Sequence, residues 1–206
     1  MPATLRVLIL AFDGVEALDF AGPFEVFTTA SRVNSRRRAN DATPLFDVRS
    51  VAADAFVQAR AGLKLQVDYR FADAPQADVL VIPGGVVDDA CADDATRQWI
   101  ATQASRAQRI ASVCTGAFLL AASKVLREGQ ATTHWEDVAD LRARFPALDV
   151  LEGPRWVAND PGERLLTSAG ISAGIDMSLH LVELLAGRSL ALATARQMDY
   201  AWTENQ

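Results

Sequence analysis

Apolar residues along this chain fall into short runs, separated by stretches with helical spacing. Leu5 to Phe12 (L-R-V-L-I-L-A-F) is almost continuously apolar, the pattern of a strand buried on both faces of a parallel sheet. D-G-V-E-A-L-D-F-A-G-P-F-E-V-F follows. Pro23 suits the first turn of a helix, and Phe24, Val26, Phe27 and Ala30 give that helix an apolar face, which leaves Asp19 in the loop before it. Residues 31–44 are polar and Arg-rich and read as a loop. Phe46 to Val51 predicts a second strand, Val57 to Val67 a hairpin around Gly62, and Ala77 to Ile82 a further buried strand ending in Pro83-Gly84-Gly85. Asp94 to Ser105 predicts a helix with Trp99 and Ile100 inward.

Ile110 to Val113 is a β-branched run that turns at Cys114-Thr115-Gly116 and continues as an apolar helix from Ala117, closing at Gly129. Ala131 to Thr133 predicts a short strand before His134-Trp135; Trp135 to Phe145 is amphipathic and Pro146 stops it. Arg155 to Val157 and Leu165 to Ser168 bracket the turn signal N-D-P-G-E, hence a hairpin. Ser172 to Ala186 and Leu190 to Trp202 predict the last two helices. Strands alternating with helices argue for one α/β domain over residues 1–206, a doubly wound, mostly parallel sheet with added hairpins. Such sheets bind ligands beyond the carboxyl ends of their strands. Asp19, Gly84-Gly85, Cys114 and His134 each follow a predicted strand and so converge at one edge.

Composition narrows the classes. Net charge is −6 over 206 residues, and the one basic cluster, Arg36-Arg37-Arg38, reads as part of a solvated loop, so nothing supports nucleic-acid binding. No apolar run reaches the roughly 18 residues of a membrane span, and the N-terminus reads as a strand rather than a signal. Two cysteines in unlike contexts, Cys91 and Cys114, argue against a disulfide framework and for a reducing cytoplasm. With neither HExxH nor paired-Cys spacing, no metal is expected, and P-G-G is not a dinucleotide fingerprint, so no cofactor is implied.

Strand, small nucleophilic residue, small residues, helix is the sequence form of a nucleophile elbow, here with Cys114. The following helix points its positive end at the sulfur, which predicts a lowered thiol pKa. Backbone N–H groups of Gly85 and Thr115 are candidates to stabilise developing negative charge, and Asp19 to carry a proton, since two adjacent negative groups do not both ionise cheaply. Ordinary alternatives stand beside these. Most buried cysteines are inert, an Asp before a helix is commonly its N-cap, and a His beside Trp at a strand end is more often structural than a general base. Glu16 reads as exposed, His180 as a packing or interface residue, and Cys91 as a poor nucleophile whose acidic neighbours raise its pKa.

L-D-F-A-G-P-F-E-V-F, V-I-P-G-G, S-V-C-T-G-A-F-L-L-A, A-T-T-H-W and T-S-A-G-I-S-A-G-I-D, in this order, resemble the ThiJ/PfpI superfamily of class I glutamine amidotransferase-like proteins, from Leu5 to about Trp202. Within it the likeness runs to isonitrile (isocyanide) hydratases, and the sensor halves of AraC-type regulators are also similar. The resemblance implies a flavodoxin-like sandwich, a homodimer, and Cys114 as nucleophile. Superfamily proteases and glyoxalases carry His after the elbow Cys and a Glu near the first strand; Thr115 and Asp19 stand here instead and agree with isonitrile hydratases. The implied reaction adds Cys114 to the terminal carbon of an isonitrile, with a proton from Asp19, to give a thioimidate. Water, activated by Asp19, then releases an N-substituted formamide. Thr115 and the Gly84-Gly85 backbone would orient water and polar atoms, with His134 beside them. Three alternatives remain: another Cys-dependent hydrolase or amidase, a ligand-sensing domain related to AraC-type regulators, and a redox-sensing thiol. Against a complete regulator, no basic recognition helix follows, and W-T-E-N-Q reads as a natural end.

Overall fold

The computed structural model describes residues 4–38 and 43–205. The predicted first strand is β1 (Leu5–Leu10), followed by α1 (Ala17–Arg37), β2 (Phe46–Ala52), and the hairpin β3 (Phe56–Gln58) and β4 (Lys64–Gln66). Then come β5 (Tyr69–Arg70), β6 (Val79–Ile82), α2 (Asp88–Ala92), α3 (Asp94–Arg106), β7 (Arg109–Val113) and α4 (Gly116–Ala122). The chain continues through β8 (Gly129–Ala131), α5 (Val138–Arg144), β9 (Leu148–Val150), β10 (Trp156–Ala158), β11 (Leu165–Ser168), α6 (Ala173–Ala186) and α7 (Arg188–Gln197).

Seven strands form one sheet in the order β10-β11-β7-β6-β1-β2-β5. Every pairing in it is parallel except β10 with β11, the hairpin announced by N-D-P-G-E. The strands nearest the middle are the most buried: β6 and β11 throughout, and β1 and β7 over most of their length. Helices flank the sheet in two groups, α1 with α6 and α7, and α2 with α3 and α4. Growth of the sheet reverses at β1, which has β2 on one side and β6 on the other. The crevice beyond β1 and β6 is therefore the switch point at which doubly wound sheets take their ligands.

Four expectations need correction. First, Asp19 lies in the first turn of α1, and the helix starts six residues before Pro23. Phe20, Pro23, Val26, Phe27, Ala30 and Val33 are one buried helical stripe, so the apolar period begins ahead of the proline. Pro23 removes only the N–H that would bond the Asp19 carbonyl, one bond in a helix of 21 residues. Second, the predicted 31–44 loop is helix as far as Arg37, while residues 39–42 lie outside the described residues. Arg36 and Arg37 are the polar end of that helix and donate to Gln197 (3.1 Å) and Ser189 (3.2 Å) on α7. Third, β8 ends at Ala131 and pairs with β9, a strand hidden behind Pro146, in a separate two-stranded sheet. Fourth, the last helix stops at Gln197, and the tail crosses to the sheet edge. There Asn205 accepts from the N–H groups of Arg155 (3.1 Å) and Trp156 (3.3 Å).

Candidate active site

Each end of four adjacent strands supplies one part of the site. After β7 the chain turns sharply at Cys114, whose φ of 57° is in the left-handed region that non-glycine residues rarely enter. The turn is anchored on β11: the Cys114 N–H is shared between the carbonyls of Ser168 (3.1 Å) and Ala169 (3.2 Å). The Cys114 carbonyl accepts from the Thr133 hydroxyl at 2.9 Å. Packing is too close for side chains at the glycines beside it. A Cβ on Gly84 would lie 2.5 Å from the Thr115 nitrogen, and one on Gly116 would overlap the Ile82 carbonyl oxygen.

Asp19 comes in from α1 with no exposed surface. Its Oδ2 accepts the Gly84 N–H at 3.1 Å, and its Oδ1 has no hydrogen-bond partner among the described residues. Burial pushes its pKa from 3.8 up to about 7; the Gly84 N–H opposes the rise, the Glu16 charge adds to it, and the Cys114 thiol beside it opposes it. The thiol itself is pushed up to about 12, first by burial and then by the Asp19 charge. The backbone N–H groups of Thr115 and Ile171 pull the thiol pKa back, and the Asp137 charge acts in the upward sense.

The expected lowered thiol pKa is thus reversed, and magnitudes say why. The end of a short helix contributes at most about 2 kcal/mol, whereas taking an ion out of water costs several. At neutral pH the sulfur keeps its proton, and Asp19 is the group poised to titrate.

Thr115 and the two glycines are more tightly committed than the sequence suggested. The Thr115 hydroxyl accepts the Gly85 N–H at 2.8 Å and donates to the Gly85 carbonyl at 2.9 Å. With Gly84 bound to Asp19, both glycine N–H groups are engaged, and neither is free to receive a substrate directly. The amides that face the sulfur are those of Thr115 and Ile171. Ile171 was invisible to sequence reasoning; its φ of 35° is a strained value for a β-branched residue.

His134 has no hydrogen bond to either member of the pair among the described residues. Its Nδ1 accepts the Glu136 N–H at 3.4 Å and lies 3.5 Å from an Asp137 oxygen. It lines a neighbouring cavity of about 490 Å³ with Trp135, Arg155 and Ile171. Glu16 is three-quarters buried rather than exposed. Cys91 is buried in α2, and burial rather than its acidic neighbours is the main reason its pKa is raised. His180 packs on the Trp156 ring and holds Glu163 at 2.6 Å.

Fold and site together define a doubly wound α/β protein with a cysteine at a strand-to-helix elbow, set against a buried carboxylate. The sequence matches the DJ-1/PfpI family over residues 5–184, and the chain belongs to that family. It is 33% identical over 198 residues to an isonitrile hydratase of Pseudomonas putida, covering 96% of this chain and 79% of that one. It is 29% identical to the HTH-type transcriptional regulator GbdR of Pseudomonas aeruginosa, covering 89% of this chain and 50% of the regulator. Among solved structures, a ThiJ/PfpI family protein from Pseudomonas syringae superposes with a TM-score of 0.81 at 28% identity, over 96% of this chain and 76% of that one. Drosophila melanogaster DJ-1beta shares the fold with a TM-score of 0.79 at 18% identity, over 97% of this chain and all of that one.

Proposed function

We propose that the protein is an isonitrile hydratase-type enzyme using Cys114 as nucleophile and Asp19 as proton carrier. The observation that carries this reading is the buried pair itself: the Cys114 thiol beside a fully buried carboxyl with one unpaired oxygen, whose pKa burial pushes up to about 7. A carboxyl with that proton affinity can both take and return a proton at neutral pH.

In the first step the thiol proton passes to Asp19 as sulfur bonds the terminal carbon of R–N≡C. Asp19 then returns the proton to that carbon, leaving the thioimidate R–N=CH–S. Water adds to the same carbon through its oxygen and loses a proton to Asp19, which passes that proton to the imine nitrogen. Collapse forms the C=O bond and breaks the C–S bond, and the proton of the former hydroxyl passes to the sulfur. The sum is R–N≡C plus water giving R–NH–CHO, with no metal or organic cofactor required. The Thr115 and Ile171 amides stabilise charge on sulfur as it attacks and leaves. Thr115 fixes the glycine turn that presents the Gly84 N–H to Asp19, and the cavity beside Ile171 takes the group R. In this reading the protein works as a homodimer in the cytoplasm; among the described residues no helix is long and apolar enough to cross a membrane.

Incubation with an aromatic isonitrile, followed by ultraviolet absorbance for the formamide, tests the reading. Turnover that disappears in Cys114→Ala supports it, and turnover that survives there removes it. The likeness to GbdR favours a second reading, a ligand-sensing domain, for which saturable binding of a small molecule without turnover is the expected result.

A further inference from the structure

We propose that Glu16 and Arg60 are positioning residues for the proton on Asp19: the β3–β4 hairpin holds Arg60 against Glu16 and so sets how much negative charge Asp19 faces. This rests on the reading of Asp19 as proton carrier.

Glu16 is the residue before α1, and its backbone belongs to the site. Its N–H donates to the Gly84 carbonyl at 2.8 Å, and its carbonyl accepts from Phe20 at 3.3 Å. Its side chain is 26% exposed, so water screens it poorly. Asp19 is faced by three other groups: the Gly84 N–H beyond β6, the Cys114 thiol beyond β7, and Glu16, whose charge opposes ionisation of Asp19.

Arg60 arrives from outside the sheet. Ala61 (φ 62°) and Gly62 (φ 94°) reverse the chain directly after it. The hairpin is then tied to the loop ahead of α1 at three points. Arg60 N–H donates to the Val15 carbonyl (2.8 Å), Gly14 N–H to the Gln58 carbonyl (2.8 Å), and Gln58 N–H to Asp13 Oδ1 (2.7 Å). This brings Arg60 Nη1 to 3.7 Å from Glu16 Oε2. Arg60 thereby offsets the carboxylate that, among the described residues, works against ionisation of Asp19.

The test is the rate of Cys114 alkylation by iodoacetamide from pH 5 to 9, with the modified peptide identified by mass spectrometry to separate it from Cys91. A carbon–sulfur bond forms, iodide leaves, and the thiol proton goes to Asp19, so the rate rises as Asp19 ionises. Glu16→Gln is expected to move the midpoint down by about half a pH unit, the size of one charge across a partly solvated gap. Arg60→Met is expected to move it up, and to do nothing further in the Glu16→Gln background. About 0.5 M salt shrinks the shift from Arg60, whose side chain is 64% exposed, more than the shift from Glu16. A midpoint unmoved by Glu16→Gln, a uniform loss of rate at every pH, or an Arg60 effect that persists without the Glu16 charge each overturn the proposal. So does a midpoint that survives in Asp19→Asn. Because alkylation needs no isonitrile, an absence of hydratase turnover with the midpoint shifting as expected overturns only the reading of the substrate.

Discussion

Replacing Asp19 with Asn exposes what it costs to keep a carboxyl in the core. The folded protein holds this group without solvent contact, with one backbone hydrogen bond, from Gly84, and a pKa raised from 3.8 to about 7. Below its unfolded pKa the group is protonated in both states and weighs on neither. As pH rises toward 7 the unfolded chain releases the proton freely while the folded chain retains it, so wild-type stability falls across this window and levels off above it. At roughly 1.4 kcal/mol per pH unit the whole interval is worth about 4 kcal/mol, and the part between pH 5.5 and 8.5 about 2. Asn keeps the shape and the acceptor for Gly84 but carries no charge. Urea unfolding followed by tryptophan fluorescence at pH 5.5, 7 and 8.5 should show Asp19→Asn gaining about 2 kcal/mol on wild type between the extremes, at constant slope in denaturant. Parallel pH dependences of the two proteins would refute the burial argument, and a wild type that gains on the variant with rising pH would reverse it.

Thr115→Val preserves side-chain volume but strands the Gly85 N–H and carbonyl; a loss of about 2–3 kcal/mol in urea is expected, with slower Cys114 alkylation. A loss below about 0.5 kcal/mol would mean that the hydroxyl is dispensable to the turn. Arg155→Met leaves fully buried Asp176 without its cation and should cost about 3–5 kcal/mol, with faster hydrogen exchange in the 199–205 tail, whose Thr203 N–H also bonds Asp176. Adding Asp176→Asn should recover most of that stability.

The sequence foretold the elements whose signal is local. Continuous apolar runs located β1, β6 and β7, and turn residues located both hairpins. The glycines around Cys114 announced a tight elbow, because their need for space is written in the residue type. It failed where two local signals competed. Pro23 read as a helix start, and the Arg-rich stretch from residue 31 read as a loop, although Phe20 carries the apolar stripe ahead of the proline and Val33 carries it into that stretch. The site's chemistry was legible as a set of residues and not as a set of charges. Whether a cysteine after a strand is acidic or inert depends on the water removed around it, and no spacing reports that. Ile171 gave no signal at all, since its contribution is a backbone amide.

The parts of this site lie side by side in the sheet but far apart along the chain. Asp19 and Gly84 are 65 residues apart, and the amide of Ile171 joins them from the far end of β11. Contacts of such separation repay their loop-closure entropy only after most of the chain has found its place. A partly folded or internally nicked chain therefore carries the cysteine without the environment. Its thiol, relieved of burial and of the carboxylate, returns to an ordinary pKa near 8.5 and reacts like any other. The pH dependence of Cys114 thus distinguishes native molecules from the rest, and can follow folding.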